Sequence, residues 1–139
     1  MTPDGIIRIR ACLAAVEDGK ILLVPHFNTD AGPVQWAIPG GVVDFGEGLL
    51  DAARREFHEE TGLQASITSL LDVSEVLLAD QGWHSISITF LGEVVGGNLA
   101  AEEGHPFGEK TPRWMTVEEI REVPCHPKFV IEKAFRISK

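Results

Sequence analysis

The sequence predicts an α/β domain in which strands outnumber helices, and three observations carry that prediction. Residues 84–95 alternate Ile86, Ile88 and Phe90 against Ser85, Ser87 and Thr89, the period-2 pattern of a half-buried strand. Residues 49–61 contain no Pro or Gly and are rich in Leu, Ala, Glu and Arg, which favours a helix, and Gly62 supplies its stop. Strand and helix patterns do not alternate regularly along the chain, which argues against a doubly wound parallel sheet. The 139 residues suit one domain spanning 1–139, and 44% hydrophobic with 24% charged residues is ordinary for a globular chain.

The elements follow in order. Residues 6–16 are β-rich, with alternation at Ile7, Ile9 and Ala11. Glu17-Asp18-Gly19-Lys20 is a turn signal, and residues 21–24 form a second short strand, so the two make a hairpin. Residues 26–34 read as a polar loop. Trp36-Ala37-Ile38 leads into Pro39-Gly40-Gly41, a rigid turn that brings backbone close to something, and residues 42–44 form a short strand. After the helix, residues 65–78 read as a strand with a bend, Asp80-Gln81-Gly82 as a turn and residues 96–108 as a loop. Residues 113–115 are a short strand, and Thr116 to Glu119 reads as a capping box opening a short helix. Residues 127–137 are a final helix, with Phe129, Val130, Ala134 and Ile137 as its apolar side.

Charge and cysteine content exclude several classes. A net charge of −9 argues against a surface that coats nucleic acid, though bound metal ions can reverse the local sign for a polyanionic substrate. Cys12 and Cys125 are far apart and lack a partner motif, so they read as free thiols in a cytosolic, cytoplasmic protein. The N-terminal stretch, broken by Arg8, Arg10 and acids, is neither a signal peptide nor a membrane span.

The most informative window is residues 41–63, GVVDFGEGLLDAARREFHEETGL. Its fixed points are Gly41, Glu47, Arg55-Glu56-Phe57, Glu59-Glu60 and Gly62-Leu63. At about 100° per residue, Leu49, Leu50, Ala53 and Phe57 share one helix face, Glu56 and Glu60 lie near its edge and Glu59 just beyond. Arg55, four residues before Glu59, can pair with it. Three acids beside a buried stripe oppose folding unless a cation binds them. Magnesium suits carboxylates together with substrate phosphates, whereas zinc would want His or Cys at ligand spacing, and neither occurs.

This window resembles the Nudix hydrolase signature GX5EX7REUXEEXGU at every specified position, with Phe57 a slightly unusual choice at the first apolar U. At roughly 7% usage per residue type, a chance match at a given start is on the order of one in 10⁹. A weaker likeness runs from about residue 12 to about residue 137. The resemblance implies an α/β/α sandwich with a mixed sheet, the box forming a loop–helix–loop. It implies Glu56, Glu59 and Glu60 as metal ligands, joined by the Gly40 carbonyl, with Mg²⁺ as cofactor and Mn²⁺ as substitute. Glu47 then assists the site through water, and Arg55 orients a carboxylate. In the segment 104–115, Glu109 matches a glutamate that completes the metal site or acts as base, with Glu103 or Glu102 as alternatives. Phe27, Trp36, Trp83 and Phe107 are candidates for stacking on a nucleobase, with core packing the competing role. The histidines, including His58, match no ligand spacing and read as structural, His26 and His84 lying nearest to pocket loops.

The implied reaction is attack of a metal-activated water on one phosphorus of a nucleoside diphosphate linked to another moiety. Subgroup marks outside the box narrow the substrate. The chain has no Tyr, against a dinucleoside polyphosphate, and Ala79 stands where a proline would mark ADP-ribose. A MutT-like hydrolase of nucleoside triphosphates or modified nucleotides is the first reading. ADP-ribose or nucleotide-sugar hydrolysis is the second, and a catalytically silent nucleotide-binding regulatory domain the rival of another class. The expected partner is a small nucleotide, without a stable nucleic-acid complex or a membrane, and the resemblance admits a homodimer.

Overall fold

The structure is a computed structural model that describes residues 5–27, 34–101 and 111–138. Its elements are β1 (Arg8–Glu17), β2 (Lys20–Phe27), β3 (Val34–Ala37), β4 (Gly40–Val42), α1 (Leu49–Thr61), β5 (Leu63–Leu78), β6 (Trp83–Gly97), β7 (Arg113–Thr116), α2 (Val117–Glu122), β8 (Cys125–His126) and α3 (Lys128–Ile137). The sheet runs β5-β6-β1-β2-β3-β8, with β4 added to β1 and β7 to β2. It is mixed: β1 lies parallel to β6 over Arg8↔Ser85 to Ala15↔Gly92, and antiparallel to β2 and β4.

Sequence dictates this centre. Ala11 to Ala15 of β1 are all buried, as expected of a strand covered on both faces. On one face, Ala52, Ala53 and Phe57 of α1 pack against Ala11, Leu13, Leu22 and Phe90. On the other, Ile120 of α2 and Val130, Ile131 and Ala134 of α3 pack against Cys12, Ala14, Ile21 and Leu23. The result is the α/β/α sandwich. The β1–β2 hairpin closes through Asp18 and Gly19, both at positive φ (51° and 74°), which is the two-residue turn that matches strand twist.

Two expectations about helix faces need correction. Leu49 and Leu50 were assigned to the core face of α1, but they are 38% and 45% exposed. Their angle round the helix suits the core, yet the buried set begins only at Ala52, so the first turn is left exposed. Phe129 and Ile137 are likewise exposed, because α3 buries the Val130–Ile131–Ala134 stripe and Phe129 sits about 100° from Val130. The two-residue β8, parallel to β3 through Trp36↔Cys125 and Ala37↔His126, has no pattern long enough to read. The bend expected in residues 65–78 is a set of register shifts between β5 and β6, at Gln64/Ala65, Ile67/Ser69 and Leu70/Asp72.

Candidate active site at the box helix

The site begins with the backbone. Pro39-Gly40-Gly41 carries the chain into β4, where Gly40 pairs with Cys12. Glycine is required at Gly40, where a Cβ would run into the Ala11 carbonyl and the Cys12 backbone, and a Cβ on Gly41 would push the Glu56 carboxylate aside. The Gly40 N–H donates to Glu60 Oε1 at 2.8 Å, and Arg10 donates to the Gly40 carbonyl at 3.4 Å. Glu60, only 4% exposed, therefore lies inside the buried stripe of α1, deeper than its expected place at the edge.

Arg55 gathers the remaining acids. Its Nε and Nη2 donate to the two Glu47 oxygens at 2.7 and 2.8 Å, a bidentate pairing. Its Nη1 donates to Glu56 at 2.9 Å and to both Glu59 oxygens at 3.4 Å, and Nη2 also reaches the Val42 carbonyl at 3.3 Å. Arg55 thus serves more than the expected Glu59 partner. The Arg55 guanidinium and the Asp44 N–H push the Glu47 carboxyl down to about 2, so Glu47 is an anion at neutral pH. The same carboxylates push Arg55 upward, Glu47 most of all. The helix ends where Gly62, at φ 79°, donates its N–H to the His58 carbonyl at 2.8 Å, which fixes how far Glu59 and Glu60 project.

The donor set fits a hard divalent cation. Glu56, Glu59, Glu60 and the Gly40 carbonyl are all oxygen donors, with the Arg55 guanidinium on Glu56 and Glu59 and that of Arg10 on the Gly40 carbonyl. Among the described residues, however, no group of three or more His, Cys, Asp or Glu side chains is placed so that it could hold a metal ion. The Glu60 carboxylate is turned to the Gly40 amide, and Arg55 spans the others.

The remaining candidates scatter. Trp83 opens β6, where its Nε1 donates to Ser85 Oγ at 3.0 Å and the Arg8 guanidinium lies 4.3 Å from its ring centroid. It is six residues along β6 from Thr89, the partner of Cys12, or about 20 Å along the strand. Trp36 packs at the rim of the α3-side core with Arg113 5.5 Å over its ring. Glu109, Phe107, Glu102, Glu103 and the side chain of Phe27 lie outside the described residues. His84 pairs with Glu75 at 2.7 Å, and His58 Nδ1 lies 3.3 Å from the Leu63 carbonyl.

Two residues escaped the sequence reading. Arg8 and Arg10 alternate with Cys12 and Ala14 on β1, so they continue the α3-side face beyond the part the core covers. One Arg8 guanidinium nitrogen, Nη1, is buried with no hydrogen-bond partner. The signal was present as Arg-x-Arg-x-Cys at period 2, but charge in a strand was read only as an interruption.

A box helix that carries clustered carboxylates beside a glycine carbonyl, on an α/β/α sandwich with a mixed sheet, defines the Nudix class of hydrolases. The NUDIX domain model matches residues 7–132, and the chain belongs to that family. Over 98 residues it is 41% identical to an ADP-ribose pyrophosphatase of Methanocaldococcus jannaschii, 70% of this chain and 53% of that protein. Over 94 residues it is 35% identical to a putative 8-oxo-dGTP diphosphatase of Bacillus subtilis, 68% of this chain and 58% of that protein. The matches thus cover little more than half the length of these curated relatives. Among solved structures it resembles a MutT NUDIX hydrolase from Burkholderia pseudomallei, with TM-score 0.74, 26% identity and coverage of 92% of this chain and 98% of that one.

Proposed function

We propose that this chain is a magnesium-dependent pyrophosphohydrolase that opens the phosphoric anhydride of a nucleoside diphosphate linked to another moiety, a nucleoside triphosphate or modified nucleotide first. The observation that carries this is the cluster of Glu47, Glu56 and Glu59 around Arg55, beside Glu60 and Gly40. Glu56, Glu59, Glu60 and the Gly40 carbonyl hold the metal, and Mn²⁺ substitutes. A divalent ion held there would supply charge stabilisation to the phosphoryl oxygens and activate a water. Arg55 keeps the carboxylates oriented, and Glu47, already ionised, orients the attacking water by a hydrogen bond. Arg10 and Arg8 on the neighbouring strand face bind the phosphate chain, with the Trp83 ring farther along the same face.

ADP-ribose or a nucleotide sugar is the second reading for the substrate, favoured by the 41% identity to a relative of that name. A silent binding domain is the rival class. The intact box argues against it, since each specified position keeps its residue. Among the described residues no helix is long and apolar enough to cross a membrane. Cys12 and Cys125 are free thiols, which suits the cytosolic reading.

Phosphate or pyrophosphate release from canonical and oxidised nucleoside triphosphates, ADP-ribose, nucleotide sugars and dinucleoside polyphosphates tests the proposal, with Mg²⁺, Mn²⁺ and EDTA arms. Turnover of one class that EDTA abolishes is the expected result. Tight metal-dependent binding without turnover would move the chain to the binding class. Glu59→Gln and Glu60→Gln are expected to lower turnover by orders of magnitude while the circular dichroism spectrum stays native. Near-normal activity in either would remove that residue from the ligand set.

A further inference from the structure

Remote from the box, a cavity of about 410 Å³ opens between α2 and α3. That volume lies within the range of small-molecule sites, about 300–1,000 Å³. Its floor is apolar, from Ile120, Ile131 and the half-buried ring of Phe135, and Arg121, Lys128 and Arg136 stand round it. Glu132 is the one acid lining it. Three cations against one carboxylate is a local excess opposite in sign to the chain's net −9.

The cations are not consumed by other contacts. Glu132 is four residues from both Lys128 and Arg136, the spacing at which helical ion pairs form. Among the described residues, neither of them nor Arg121 closes an ion pair. The cavity is also separate from the box. At about 100° per residue, Lys128, Glu132, Phe135 and Arg136 occupy one flank of α3, while Lys133, 3.8 Å from Asp72, faces the strand row Cys12–Thr89–Asp72 on another. No box residue lines the cavity.

We propose that this cavity is a second binding site, for a small molecule that joins an aromatic ring to an anionic group such as a phosphate, sulfonate or carboxylate. The ring lies against Phe135 and Ile131, and the anion meets the guanidinium groups of Arg121 and Arg136. The shape of the site supports this, because an apolar floor with a few cations at its mouth sets both affinity and orientation.

The test is titration of the full chain with 1-anilinonaphthalene-8-sulfonate, a fluorescent aromatic anion, with phenyl phosphate and benzyl alcohol as competitors. One saturable site per chain is expected, displaced by phenyl phosphate and not by the uncharged alcohol. The exposed double variant Arg121→Glu/Arg136→Glu should weaken binding at least ten-fold, whereas Glu59→Gln and EDTA should leave it unchanged. Binding in the double variant within two-fold of the parent would place the probe elsewhere and overturn the proposal, as would loss of binding in Glu59→Gln. Should the double variant lose its native circular dichroism, Phe135→Leu provides the same reading: weaker binding is expected, and unchanged binding overturns the site.

Discussion

Arg55 is the residue that ties the acidic cluster together, since its guanidinium donates to Glu47, Glu56 and Glu59 at once. A lysine there offers a point charge and cannot reproduce the bidentate fork to Glu47. Arg55→Lys should therefore lower kcat or metal affinity about 10- to 100-fold, the usual loss when a partner of a ligand is removed. Isothermal titration with Mn²⁺ beside steady-state kinetics checks it, and unaltered values would make Arg55 a bystander. Glu47 yields a pH prediction. Its carboxyl is held near 2 in the folded chain against an ordinary 4.5, chiefly by Arg55 and then by the Asp44 N–H. A depressed carboxyl stabilises the fold above its unfolded value and loses that contribution as pH falls. The pair thus contributes fully above about pH 4.5 and drains away towards pH 2. Glu47→Gln should flatten the acid limb of thermal stability between those values. An acid limb unchanged by the substitution would separate Glu47 from that linkage. At this scale the box was legible because its chemistry is written in residue type and spacing. Arg8 and Arg10 were not, because their face depends on where α3 stops covering the sheet, which no local pattern states.

At the scale of elements, the parts read best where a local rule closes on itself. The capping box of α2 is present in both directions: Glu119 N–H to Thr116 Oγ1 at 3.2 Å, and Thr116 N–H to Glu119 Oε1 at 3.1 Å. Thr116→Ala should cost about 1 kcal/mol of stability, read by chemical denaturation, and because α2 walls the second cavity it should also weaken the aromatic anion's binding. A denaturation midpoint equal to the parent's would show that the cap carries no stability here. The box helix was likewise legible at both ends, as Leu49–Thr61 with a Gly62 stop. What failed was assigning faces within helices from angle alone. Leu49 and Leu50 have the right angle for the core, yet burial in α1 begins only at Ala52, so angle alone does not say where along a helix burial starts. β8 is two residues long, so only its neighbour β3 defines it.

At the scale of the whole molecule, one surface is out of keeping with a lone acidic chain. β5 is an edge of the sheet and runs sixteen residues. On the face that α1 covers only in part, Leu70, Val73 and Leu77 of β5, Ile9 of β1 and Ile7 just before β1 are exposed. By register, half-buried Ile86 and Ile88 of β6 lie between those two strands. Within this field the Glu75 carboxylate and the His84 ring share a hydrogen bond at 2.7 Å. A long apolar edge strand offers unpaired backbone groups to another strand, and two copies meeting about a two-fold axis would pair β5 with β5 antiparallel, each copy burying the same patch. The net charge of −9 opposes association, so the largely apolar patch, with the Glu75 carboxylate in it, is where two copies approach at low electrostatic cost. We expect a homodimer formed through this face. Sedimentation velocity should find a dimer at micromolar concentration, strengthened by added salt, which screens the like charges and leaves apolar burial intact. Val73→Glu places a carboxylate in the patch at an exposed position, so it should yield folded monomer with the box chemistry unimpaired. A parent that remains monomeric at the highest soluble concentration, or a dimer that survives Val73→Glu, would send the search for its interface elsewhere.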